Sequence, residues 1–288
     1  MRIGFIGLGI MGESMCLNVI KKSKDQVIVF DIDKVQREKL VKEGAIGANS
    51  VSEVGEKSDV IISMVPKSEH VIAVYDELMT VIRKGQIFID MSTIEPNVSV
   101  ELSKKISEKG GIMLDAPVVK SKAAAIAGTL GIYVGGDFKT YSEIKEILHM
   151  MGNNSLYMGE NGKGLIMKIC HNMLVGQIQN GVNEMITLAT NNGVNIDDFV
   201  KAISYGGGQN FYLDGKAAAI RDNIFTTAFS VENMFKDVKI AKKLVELKKL
   251  NLPGVNLVDK VYDKAMEMNL GKEDFSATYK VVKAYERF

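Results

Sequence analysis

The segment RIGFIGLGIMGESMCLNVIKKSKDQVIVFD, residues 2–31, carries the reading on which the fold rests. A short apolar run, RIGFI (2–6), leads into Gly7-Leu8-Gly9-Ile10-Met11-Gly12. A helical pattern continues through Ile20, and a second apolar run, QVIVF, ends at Asp31. Strand, then G-x-G-x-x-G, then helix is the context in which a glycine fingerprint has meaning; a lone GxGxxG has little. Gly7 permits a tight turn, Gly9 lets a pyrophosphate approach the backbone, and Gly12 lets helix and strand pack closely. Phosphates would sit on the exposed N–H groups at the helix start, so the whole loop from Gly7 through Leu8, Gly9, Ile10 and Met11 to Gly12 is expected to bind a cofactor. Asp31 stands nineteen positions after Gly12. A carboxylate there can accept hydrogen bonds from both hydroxyls of an adenosine ribose and would repel a 2′-phosphate, which favours NAD over NADP. The alternative is a turn acid with no ligand.

Downstream the two patterns keep alternating. Apolar runs at 59–65, 86–92, 111–119 and 130–136 are interleaved with helical segments at 35–44, 50–58, 68–82, 96–109 and 141–152. Repeated β-α units predict an α/β, mostly parallel, doubly wound sheet of Rossmann type. Ligands in such sheets bind beyond the carboxyl ends of the strands. Met64-Val65-Pro66, Ser92-Thr93 and Asp115-Ala116-Pro117 fall at those ends and are expected to line a cofactor and substrate cleft.

Residues 159–193 read GENGKGLIMKICHNMLVGQIQNGVNEMITLATNNG, with glycines at the entrance and an Asn-Asn-Gly stop. The segment predicts a helix over about 163–192, roughly 42 Å long at helical rise. It is too polar to span a membrane. A helix apolar nearly all round must be covered on most sides, so it is read as an interdomain helix, opening a second domain (163–288) after a dinucleotide-binding domain (1–162). Lys168 and Asn172 share one face. A lysine among Leu165, Ile166, Met167 and Ile169 is costly to bury without a task or a partner, and burial moves its pKa towards the range of proton exchange. The same lysine could instead cover apolar surface with its stem.

Beyond residue 193 only helical patterns follow, at 195–204, 211–223, 230–250 and 255–271, with 276–288 closing the chain. This predicts an all-α C-terminal domain whose apolar faces suit a homodimer or homotetramer. Gly206-Gly207-Gly208 is either a plain loop or room for a ligand. The 288 residues are 46% hydrophobic and 25% charged with a net charge of +1, an ordinary globular composition without the basic face that nucleic acid requires. Cys16 and Cys170 both read as small core residues, and His70, His149 and His171 are scattered, so no metal site is expected. Met1-Arg2 runs directly into the first strand, so no secretory leader and a cytoplasmic location are expected.

Eight ordered motifs then accumulate: GFIGLGIMGESMCLN (4–18), MVPKSEHV (64–71), DMSTIEP (90–96), DAPV (115–118), GTL (128–130), GKGLIMKICHN (162–172), FKDVKIA (235–241) and DFSA (274–277). On these the chain resembles the β-hydroxyacid dehydrogenase family along its full length, the family of 3-hydroxyisobutyrate dehydrogenase, tartronate semialdehyde reductase and γ-hydroxybutyrate dehydrogenase-like enzymes. The resemblance implies an NAD-dependent oxidoreductase acting on a small carboxylate-bearing hydroxyacid or its semialdehyde. Lys168 would be its general acid/base, with Asn172 holding substrate beside it. Met64, Val65, Pro66 and Thr93 would contact the cofactor, and Lys236 would reach toward the nicotinamide. Substrate would meet Ser92 and the loop after DAPV. Here that loop is Val119-Lys120-Ser121, where relatives usually carry Ser-Gly-Gly or Ser-Gly-Ser, so no relative's substrate transfers directly; Lys120 could pair with a second anionic group or point into solvent. Val175 takes the place of the glutamate that 6-phosphogluconate dehydrogenases use for decarboxylation, so none is expected. The alternatives are an NADP-preferring reductase of succinic semialdehyde or glyoxylate type, and a non-catalytic dinucleotide-binding scaffold.

Overall fold

The run RIGFI becomes β1 (Arg2–Ile6), buried from Ile3 onward, because its β-branched and aromatic side chains fill both faces of a central strand. The computed structural model describes residues 1–285; Glu286, Arg287 and Phe288 of the closing segment lie outside them. After β1 come α1 (Gly12–Lys22), β2 (Gln26–Phe30), α2 (Lys34–Lys42), the two-residue β3 (Ile46–Gly47), α3 (Val51–Lys57) and β4 (Val60–Ser63). Then follow α4 (Ser68–Leu78), β5 (Ile87–Asp90), α5 (Pro96–Glu108) and β6 (Ile112–Asp115). These strands lie side by side in the order β3-β2-β1-β4-β5-β6, each pair parallel. The order reverses beside β1, the crevice where a doubly wound sheet takes its ligand.

The run at 111–119, expected as one strand, is two: β6 and β7 (Val118–Val119). Pro117 lies in the break and has no N–H to give a ladder. Next come α6 (Lys122–Ala127), β8 (Gly131–Gly135), α7 (Phe138–Met151) and β9 (Asn154–Gly159). β8 runs antiparallel to β6 and β7, and β9 runs parallel to β8. One sheet face carries a core with Phe5, Leu8, Met15, Val19 and Leu148 at its centre. The other buries Val54, Tyr75, Leu78, Phe88, Ile106 and Leu165. At about 1.5–3 kcal/mol for each such side chain removed from water, two cores of this size are the main stabilising term.

α8 (Lys163–Asn191) follows. The chain divides into two compact units, Met1–Lys168 and Ile169–Phe288, and the division falls within this helix. The second unit holds the rest of α8, α9 (Ile196–Ile203), α10 (Phe211–Asp222), α11 (Val231–Leu247), α12 (Pro253–Glu267), a 3-10 turn (Phe275–Thr278) and α13 (Tyr279–Ala284). Its own core gathers Met173, Ile186, Leu213, Met234, Val258 and Tyr262. Between Gln179, Asn183, Tyr212, Tyr262 and Thr278 runs a buried chain of hydrogen bonds.

On α8, Leu174, Met185 and Leu188 are exposed. One expectation is corrected: the cysteines are not both core residues, for Cys16 is buried but Cys170 is exposed. An apolar helix with Gly176 and Gly181 on it presents faces of unequal depth, and composition does not say which face is buried. Among the described residues no helix is long and apolar enough to cross a membrane.

Candidate active site

The glycine loop is built by exclusion. Gly7 has φ +91°, and a Cβ there would collide with the Met64 carbonyl oxygen. A Cβ on Gly12 would collide with the Gly7 carbonyl oxygen. Gly9, by contrast, is exposed with open space where a side chain would stand. No side chain caps the start of α1, so first-turn N–H groups and the positive end of the helix dipole face that space. An open glycine above an uncapped helix start fits a dinucleotide pyrophosphate. Leu8 is buried, while Ile10 and half-buried Met11 border the loop.

Asp31 closes the loop from the adjacent strand. Its Oδ2 accepts the Leu8 N–H at 2.6 Å and its Oδ1 accepts the Asp33 N–H at 2.8 Å. Each oxygen keeps a lone pair for a further donor. The bond to Leu8 ties the carboxylate to the glycine turn itself, beyond what a simple turn acid needs.

Across the strand ends runs one register row: Ser63, Asp90 and Asp115 are direct neighbours on β4, β5 and β6. Ser63 Oγ and Ser92 Oγ donate to Asp90 Oδ1 at 2.8 and 2.7 Å, and the Val65 N–H donates to Ser92 Oγ at 2.9 Å. Tyr75 Oη lies 3.1 Å from Ser63 Oγ. This chain of bonds fixes the loop Met64-Val65-Pro66, which already touches Gly7. Burial pushes the Asp90 carboxyl up to about 6, against the hydrogen bonds from Ser92 and Ser63. Its Oδ2 has no hydrogen-bond partner among the described residues, consistent with burial working against the charged form. Ser92 is fully buried with its hydroxyl engaged on both sides. In this position it holds the Val65 loop. Thr93, half-buried, follows it.

Asp115 is also fully buried. Its Oδ1 accepts the Gly162 N–H at 2.6 Å and its Oδ2 the Leu165 N–H at 2.8 Å. Burial raises its pKa despite these donors. Lys168, half-buried, stands on α8 one residue short of the turn after Leu165.

The loop after β7 departs from a flexible substrate loop. Val119 is buried, so its side chain is withdrawn into the sheet. Lys120 is left-handed, φ +85°, a conformation that costs a residue with a Cβ about 1 kcal/mol or more. Its Nζ donates to the Thr129 carbonyl at 2.6 Å. The ammonium is therefore neither simply in solvent nor unengaged. Ser121 is exposed and starts α6 without a side-chain cap.

In the second unit, Asn172 is buried and its Nδ2 donates to Asp237 Oδ2 at 2.6 Å. Lys236 Nζ lies 3.4 Å from the other oxygen of Asp237. One buried carboxylate thus orders two of the residues singled out above. Sequence reasoning did not find Asp90, Asp115 or Asp237 as organisers, although each lies in a quoted motif. Val175, one turn beyond Asn172, is half-buried.

Comparison with known proteins bears on this geometry. The family model for the NAD binding domain of 6-phosphogluconate dehydrogenase matches residues 2–159, over half the chain. That for the NAD-binding domain of NADP-dependent 3-hydroxyisobutyrate dehydrogenase matches residues 162–282. The mitochondrial 3-hydroxyisobutyrate dehydrogenase of Drosophila melanogaster is 34% identical, over 98% of this chain and 89% of its own length. The chain belongs to the β-hydroxyacid dehydrogenase family. As a β-hydroxyacid dehydrogenase it is an NAD(P)-dependent oxidoreductase acting on the CH–OH group of a hydroxyacid. Glyoxylate/succinic semialdehyde reductase 1 of Arabidopsis thaliana is 30% identical over 98% of this chain and 99% of its own. The structure of Mycobacterium tuberculosis 3-hydroxyisobutyrate dehydrogenase with L-serine superposes with a TM-score of 0.90 at 27% identity, covering 98% of each chain.

Proposed function

We propose that this β-hydroxyacid dehydrogenase prefers NAD and interconverts a small carboxylate-bearing β-hydroxyacid with its semialdehyde, with Lys168 as general acid/base. The observation that carries the cofactor choice is the Asp31 carboxylate bound to the Leu8 N–H. It is a fixed negative charge that ribose hydroxyls can use and a 2′-phosphate would have to oppose. Residues 7–12, Asp31, Met64, Val65, Pro66 and Thr93 would hold the dinucleotide, and Lys236 is a further cofactor contact. When bound, the nicotinamide supplies or takes up the hydride.

In oxidation the neutral amine of Lys168 accepts the hydroxyl proton at Nζ; in reduction its ammonium polarises the carbonyl and gives the proton back. Asn172 holds substrate beside the amine, its own amide oriented by Asp237. Ser121 and the backbone around Lys120 are the remaining candidates for the substrate carboxylate. With Val175 where an acid would be needed, no decarboxylation accompanies the reaction. We further propose a dinucleotide domain over 1–162 and a helical domain over 163–288, assembly as a homodimer or homotetramer, and a cytoplasmic location.

The test is NADH oxidation with a series of short semialdehydes that includes glyoxylate and succinic semialdehyde, repeated with NADPH. Turnover with NADH above NADPH is expected. A clear NADPH preference supports instead the second reading, an NADP-linked semialdehyde reductase, which the description of the family matching residues 162–282 favours. No turnover with either cofactor sinks both.

A further inference from the structure

The first turn of α8 cannot cap itself. Gly162 accepts the Ile166 N–H on its carbonyl at 3.0 Å and so stands as the N-cap. It has no side chain to reach the third helical residue, Leu165, and the Leu165 side chain has no acceptor to reach back. In a capping box those two N–H groups are satisfied reciprocally by the residues at the cap and the third position. Here both go to the two oxygens of a single carboxylate, Asp115, delivered from the end of β6, some fifty residues away in the chain. The fit is tight from both sides. A Cβ on Gly164 would lie 2.8 Å from Asp115 Oδ2 and 2.5 Å from the Tyr133 carbonyl oxygen, and one on Gly135 would lie 2.5 Å from Asp115 Oδ1. A neutral cap would serve a helix end on its own. A buried carboxylate with both oxygens engaged also fixes the rotation of the helix about its axis, since its two acceptors match two N–H groups nearly a turn apart. The helix dipole favours the negative charge at this end.

We propose that Asp115 is a positioning residue for the reaction: by clamping the first turn of α8 to the end of β6, it sets the helix rotation that aims the Lys168 amine. All the groups involved lie in the first unit. The catalytic consequence rests on the reading of Lys168 as acid/base. The aiming itself does not.

The test joins two measurements on the full-length protein. In the first, lysines are ¹³C-methylated and the Lys168 resonance is identified by its loss in Lys168→Arg. Asp115→Asn keeps the shape but turns one acceptor into a donor facing an N–H. It should shift the Lys168 resonance. In the second, turnover is compared with whichever of glyoxylate or succinic semialdehyde the wild type reduces faster. Asp115→Asn should lower kcat by about 10²-fold, the scale of a misplaced reacting group, with KM for NADH within about two-fold of wild type. In a Lys168→Ala background it should cost nothing more. An unmoved Lys168 resonance, or an equal loss of kcat in that background, overturns the proposal. Wild-type turnover of Lys168→Ala alone removes the acid/base reading while the resonance still judges the clamp. If Asp115→Asn does not fold, Gly164→Ala crowds the same carboxylate from the helix side. It should shift the same resonance, and an unshifted one overturns the clamp.

Discussion

The proposed chemistry concentrates on a few atoms, and single substitutions separate their roles. Lys168→Ala removes the proposed proton carrier and should reduce turnover by about 10²-fold or more, since a positioned acid/base contributes on that scale. The dissociation constant for NADH, read by fluorescence titration, should stay within a few-fold of wild type. Turnover near wild type would take Lys168 out of the mechanism. Asp31→Ser removes the charge bound to the Leu8 N–H together with two acceptors for ribose. Hydrogen bonds to a charged group are worth roughly 1.5–3 kcal/mol, so kcat/KM for NADH should fall about ten-fold or more relative to NADPH. An unaltered ratio would show that the carboxylate does not select the cofactor. Lys120→Ala separates two uses of that ammonium. If it stays on the Thr129 carbonyl, KM for the best acid substrate should hardly change. A several-fold rise in that KM alone would mean that it recognises a second anion.

Elements differ in how far their sequences announce them. Residues 2–31 declared strand, turn, helix and strand because each junction needs a residue type nothing else supplies: glycine where Gly7 goes left-handed, glycine where Gly12 meets the Gly7 carbonyl. The same holds for the long α8, whose start and Asn-Asn-Gly end lay where expected. β3 and β7 have two residues each, too few to show a period, and α6 is a single Ala-rich turn and a half. The site was legible as a set of strand ends but not as a network. Ser63 lies 27 residues from Asp90, Gly162 and Leu165 lie 47 and 50 from Asp115, and Asn172 lies 65 from Asp237. A motif read locally does not say which way its carboxylate turns. Asp90 gives the element-scale prediction. It binds its proton near pH 6 when folded and near about 3.9 when unfolded. Between those values the folded chain holds more protons, so this residue's contribution to stability is greatest below about pH 4 and declines as pH rises through about 6. The decline amounts to about 3 kcal/mol. In urea titrations, the stability of wild type minus that of Asp90→Asn should therefore fall by about that amount between these limits. A difference that does not change with pH would mean that the carboxyl is ionised throughout.

For the molecule as a whole, the two units have separate cores, and the proposed dinucleotide contacts fall mainly in the first. NADH at about 100 times its dissociation constant should stabilise the fold it binds by about 2.7 kcal/mol. Scanning calorimetry should register this as a rise in the unfolding temperature of the first unit, diminished in Asp31→Ser. No rise at saturating NADH would count against the glycine loop as the binding site. The two thiols of the chain are unequal partners for reagents. Cys16 is sealed in the core, where burial holds its thiol well above the usual range, while Cys170 lies open on α8, two residues past Lys168. A maleimide dye added to the native enzyme would consequently attach at a single place, without any engineered cysteine. Its emission would then follow events at this stretch of the helix while the substrate turns over.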